Sequence, residues 1–184
     1  MTTTSTTPST TDDGLQAPPV GRYRVDRRAS TITFKSRHLF GLAPVHGTIA
    51  IRDGLVDIAD PLTGSSVQVE IDTTSFDTGS GQRDRDVRSS RFLDAERYPS
   101  MTFTSERLDR SEGRRTLAGT LMVRDVARPV SLAIERSTVP PEAPTSFVVW
   151  ATTRIDRTDF GLTAARGLVG RHLDISLRVQ GVRR

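Results

Sequence analysis

The sequence predicts an all-β fold, a barrel or sandwich of about eight antiparallel strands with one short helix. Three observations predict it. Apolar residues recur at every second position along most of the chain. The alternation breaks only over 82–93. The 184 residues suit one domain, large enough to bury a core without disulfides or metals.

Residues 1–19 read as a disordered tail, because seven of the first eleven are Thr and little apolar surface offsets the ordering entropy. The folded domain is expected over 20–184. In 30–38, Ile32 and Phe34 share one face. In 44–53, Val45, Gly47, Ile49 and Ile51 do, and Asp53-Gly54 reads as a tight turn. Val67, Val69 and Ile71 mark 65–72, and Met101, Phe103 and Ser105 mark 100–108. Glu112-Gly113 is a second turn, followed by Leu117, Gly119, Leu121 and Val123. Val130, Leu132 and Ile134 continue the pattern. The run 147–156 is apolar on both faces at first, and Leu173, Ile175, Leu177 and Val179 close the series.

One-sided strands imply an antiparallel sheet with one wet face, and closure would remove its exposed edges. The stretch 82–93 pairs Asp84 with Arg88 at helical spacing, with Ser80 as a cap and Val87 and Phe92 as apolar contacts. An eight-stranded barrel has room for side chains or one small ligand. Two inward glycines, Gly47 and Gly119, have two readings: space for a ligand, or relief of strand curvature.

Composition excludes several classes. Without Cys there is no disulfide, thiol nucleophile or iron–sulfur cluster. No apolar run approaches a membrane helix, so stable membrane insertion is not expected. The N-terminus lacks the basic and apolar regions of a secretory signal, so a cytoplasmic location is expected. A pI near 10.5 raises nucleic acid as a partner. Yet Arg and acid interleave between Arg83 and Arg97, and no Arg/aromatic alternation is present, so nucleic-acid binding is not expected.

The run Arg83-Asp84-Arg85-Asp86-Val87-Arg88-Ser89-Ser90-Arg91-Phe92-Leu93-Asp94, followed by Tyr98-Pro99-Ser100-Met101-Thr102-Phe103, resembles the central signature of the YceI-like proteins. Gly119–Val130, Ile155–Leu162 and Leu168-Val169-Gly170 resemble further motifs of that family. The similarity spans about 20–182 in order. It implies an eight-stranded antiparallel lipocalin-like barrel with a short helix near the mouth, holding an isoprenoid chain or similar lipid. Many relatives are periplasmic; this chain departs from them in its Thr-rich front end.

Neither a metal nor a cofactor is expected. His38 and His46 flank one connection, but no HExxH or helical His pair exists. Asp84 and Asp86 form a DxD flanked by Arg, which competes for the carboxylates. No GxSxG elbow is present, and Gly79-Ser80-Gly81 is too short for a phosphate loop. Arg157 or a helix Arg (Arg83, Arg88) would meet a lipid head group, or Arg157 would pair with Asp156 or Asp159.

The expected reading is a non-enzymatic lipid-binding barrel that holds a polyisoprenoid or long-chain lipid for storage, transport or sequestration. Candidate ligand-binding residues are Ile32, Phe34, Val69, Phe92, Tyr98, Phe103, Leu121, Phe147 and Phe160. One isoprene unit supplies roughly 3–4 kcal/mol at about 0.8 kcal/mol per methylene. Association costs roughly 4–15 kcal/mol, so several units must be buried. The alternatives are an isoprenoid-modifying enzyme using His38, His46 or the acidic helix, and a basic nucleic-acid-interacting protein. The two-sided strand around Val148 and Trp150 suggests a homodimer face.

Overall fold

The computed structural model describes residues 15–38, 43–111, 114–165 and 170–184. Nine strands form one antiparallel sheet: β1 (Gly21–Val25), β2 (Thr31–His38), β3 (Ala43–Ile58), β4 (Ser66–Asp77), β5 (Ser100–Ser111), β6 (Arg114–Val123), β7 (Val126–Thr138), β8 (Ser146–Asp156) and β9 (His172–Arg183). The helix α1 (Gly81–Arg88) joins β4 to β5. Pairing of β3 with β4 closes the sheet into a barrel.

The nine strands fill eight positions. β1 and β2 both lie between β3 and β9, β1 against Leu55–Ile58 and β2 against Ala43–Ile49. The expected eight strands are therefore present, and β1, a five-residue strand in which buried Tyr23 and Val25 alternate with exposed Arg22 and Arg24, is an addition.

The expected turn at Asp53-Gly54 is instead a bulge inside the 16-residue β3. The register against β4 shifts between Ile51 and Asp53. Inward residues are Ile49 and Ile51 before it and Val56 and Ile58 after it, so the bulge resets the alternation and keeps both halves apolar inside. Asp53 binds Arg24 of β1 through two hydrogen bonds of 3.0 Å. A Cβ on Gly54 would stand 2.6 Å from Val25, so only glycine lets β1 lie this close.

The helix is shorter than the expected 82–93. It ends at Arg88, and turns carry the chain to Tyr98. Ser80 holds the cap position without a side-chain hydrogen bond. Asp84 instead ties the helix to the chain that leads into it: its buried carboxylate accepts from the Thr78 N–H at 3.0 Å and the Thr78 hydroxyl at 2.6 Å. Arg88 donates to the Asp84 main-chain oxygen rather than to its carboxylate.

Residues 15–19, which the sequence reading leaves in the tail, are held against the barrel. Leu15 is buried, the Gln16 N–H donates to Ser137 O, and the Tyr23 hydroxyl donates to Pro19 O. Residues 1–14 and the Glu112-Gly113 turn lie outside the described residues.

On the outer face of β8, the apolar pair is partly packed by the chain itself. Val148 is buried, and Trp150 carries the guanidinium groups of Arg136 and Arg178 at 5.0 and 5.7 Å from its ring centre. Trp150 itself stays partly exposed.

The inward glycines answer their question in a specific way. Gly47 faces Phe34 across β2–β3, and Gly181 faces Phe147 across β8–β9. A Cβ at either would overlap the opposite ring. At Gly119, a Cβ would stand 2.7 Å from the Phe103 ring. Each glycine lets a phenylalanine lie along the barrel wall. Gly119→Val therefore overpacks the wall and is expected to cost about 1–3 kcal/mol, read as a lower urea midpoint at unchanged slope.

Candidate ligand site: the barrel lumen

The barrel encloses a cavity of about 630 Å³. That volume lies in the range of small-molecule sites. Every strand from β2 to β9 contributes to its wall, as expected where alternate residues point inward. Two buried clusters form the wall. One centres on Ile32, Ile49, Val56 and Phe147, the other on Phe103, Leu117, Leu121 and Phe160.

Eight of the nine candidate residues line this cavity: Ile32, Phe34, Val69, Phe92, Phe103, Leu121, Phe147 and Phe160. Tyr98 does not. Its ring lies on the outside between Arg97 and Arg124, with guanidinium carbons 5.3 and 5.7 Å from the ring centre. Its carbonyl accepts from the Thr73 hydroxyl at 2.6 Å. The turns after α1 are the reason: they send Phe92 and Leu93 inward and leave Tyr98 to anchor the start of β5.

The sequence reading missed Phe76, which lines the cavity and stacks on Phe34 at 4.9 Å. It lies beyond the expected end of β4, past an irregular stretch where Asp72 accepts hydrogen bonds from Thr74. It also missed Arg37 and Arg91, which line the cavity at the α1 end with Arg83, Asp86 and Arg157. Their signal is one basic residue per turn or strand end, which a chain this rich in Arg hides.

Arg157 is buried at that end. Its Nε donates to Gly170 O at 2.9 Å, its Nη1 donates to Leu162 O, and its guanidinium sits 5.8 Å over the Phe92 ring. Arg83 donates to the Thr78 hydroxyl at 2.7 Å and so is tied to the Asp84 cluster. Asp84 is structural here, bonded back to Thr78, and Asp86 remains exposed at the rim.

Asp156 organises the adjoining 3₁₀ turn, Arg157–Phe160. Burial pushes its carboxyl up, but hydrogen bonds from the Thr158 hydroxyl and N–H, then from Arg171, outweigh this and hold it at about 2. Gly161 closes the turn at φ 75°, a left-handed conformation that glycine adopts without strain. This places Phe160 over the lumen.

His46 lies opposite Lys35 on the exposed face of the β2–β3 pair, and the His38 side chain lies outside the described residues. Among the described residues, no three His, Asp or Glu side chains gather to hold a metal ion. No described helix is long and apolar enough to cross a membrane.

A closed eight-position barrel with an apolar lumen, one helix at its end and the motifs in this order defines a class. The chain belongs to the YceI-like family, whose domain matches residues 23–181. A UPF0312 protein of Vibrio cholerae is 30% identical over 169 residues, covering 88% of this chain and 87% of that protein. A UPF0312 protein of Shewanella baltica is 32% identical over 171 residues, with the same coverage of 88% and 87%. BcnA of Burkholderia cenocepacia shares the fold with a TM-score of 0.73 at 20% identity, covering 85% of this chain and 98% of that one. A polyisoprenoid binding domain from Saccharophagus degradans shares it with a TM-score of 0.67 at 17% identity, covering 88% and 98%.

The Asp156 carboxyl gives a pH prediction. Its folded value, about 2, lies below the ordinary carboxylate value of about 3.9. Its contribution to stability is therefore complete above about pH 4–5 and is lost as pH falls towards 2. Asp156→Asn is expected to flatten this part of the acid limb in a plot of Tm against pH.

Proposed function

We propose that this protein is a non-enzymatic carrier that holds a polyisoprenoid, or a similar long apolar chain, inside the barrel for storage, transport or sequestration. The observation that carries this reading is the cavity of about 630 Å³, walled by aliphatic and aromatic side chains whose rings lie along the wall. A chain placed there exchanges water for methyl and methylene contacts along its whole length. At about 0.8 kcal/mol per methylene, a few isoprene units exceed the cost of association. The polyisoprenoid binding domain from Saccharophagus degradans, which shares the fold, supports the same ligand class.

The polar end of the ligand belongs at the α1 end. Arg37, Arg83, Asp86 and Arg91 line the cavity there, while Leu117, Leu121 and Ile134 lie deeper in the wall. A head group at this rim stays solvated while the tail is buried.

The test is a fluorescent farnesyl probe titrated into the wild-type protein and into Leu121→Asp and Phe103→Asp. A carboxylate facing the lumen is expected to weaken binding by about a hundredfold or more in variants that keep their β-sheet circular dichroism. Unchanged binding in a folded variant would remove the lumen from the function.

A further inference from the structure

The sheet is closed, yet β7 and β8 share hydrogen-bonded register only from Ala133↔Thr152 to Thr138↔Val148. Residues 126–132 of β7 and 153–156 of β8 run on past the last shared pair. Neither strand frays there. β7 stays paired with β6 to Val126, and β8 stays paired with β9 to Asp156. Pro129, which has no N–H to give, sits in the unpaired stretch. The wall is therefore split between β7 and β8 at the α1 end.

A space of about 530 Å³ occupies the split. Outward residues Ser131, Arg154 and Asp174 line it, and so do Val130, Ile155 and Phe160, which also line the lumen. The slot and the lumen thus border on the same residues of the wall, and Phe160 is common to both.

We propose that this slot is a side portal through which the ligand's apolar chain enters and leaves the lumen, with Phe160 as its gate. The proposal rests on the lumen being the ligand site. Three features favour this route. No ladder hydrogen bond joins the two strands here, so parting them breaks none. Phe160 sits on a four-residue 3₁₀ turn beside β7, an element small enough to move without unfolding a strand. On the axial route the buried Phe92 and Leu93 lie beneath the polar rim, and a long chain would have to thread past them end-on.

The chain has no cysteine, so a staple can be placed cleanly. In Ser131→Cys/Arg154→Cys, a short bismaleimide would bridge the slot after folding and after loading with the fluorescent farnesyl probe. Release into excess unlabelled geranylgeraniol is then timed. The staple is expected to slow release about tenfold or more while the amount of probe bound stays the same. A disulfide across the paired part of the wall, Thr102→Cys/Met122→Cys, is expected to leave release at the wild-type rate. Release from the slot-stapled protein at the unstapled rate would overturn the portal while leaving the lumen reading in place. Failure of the unstapled protein to take up any probe would overturn both.

Discussion

Three phenylalanine rings lying against glycines keep this barrel hollow. An inward phenylalanine on a closed eight-position barrel points at the axis, and three of them would fill the space that the walls enclose. Phe34, Phe103 and Phe147 instead lie along the wall, because Gly47, Gly119 and Gly181 on the neighbouring strands present no Cβ to stop them. The same contacts offset the cost of glycine in a strand, since each ring covers backbone that a side chain would otherwise shield. The interior that results is walled like a protein core and yet encloses about 630 Å³.

Other features preserve that space or control access to it. The bulge at Asp53 lets one long strand serve two stretches of wall, with β1 and β2 sharing the position beside it. At the opposite end, charges do the structural work. Asp84 closes the lead into α1 through Thr78, and Asp156 holds the 3₁₀ turn through Thr158 and Arg171. Arg157 ties that turn to Gly170 and Leu162. The end that is built from polar contacts and short elements is also the end where pairing between β7 and β8 stops.

Much of this was legible because period-two alternation encodes burial directly. The inward faces of β2, β4, β5 and β6 follow from Ile32, Phe34, Val69, Phe103 and Leu121, and these residues do meet in one lumen. Alternation fails where backbone geometry departs from the regular pleat. Asp53-Gly54 carries turn chemistry but forms a bulge, because Val25 and Arg24 pack onto it from a strand distant in sequence. Tyr98 lies close to Phe92 in the chain and yet points away from the lumen, since the turns after α1 decide its direction. Phe76 escaped notice for a similar reason. The gap between β7 and β8 was invisible, because both strands alternate normally and only pairing reveals it.

The central claim is that the lumen takes an apolar chain along its length, and the most direct measurement is calorimetry of prenols of increasing length. The account predicts that affinity rises steeply with each added isoprene unit and levels off once the lumen is full, with a negative heat-capacity change that grows in step. Affinity that does not depend on chain length would contradict it.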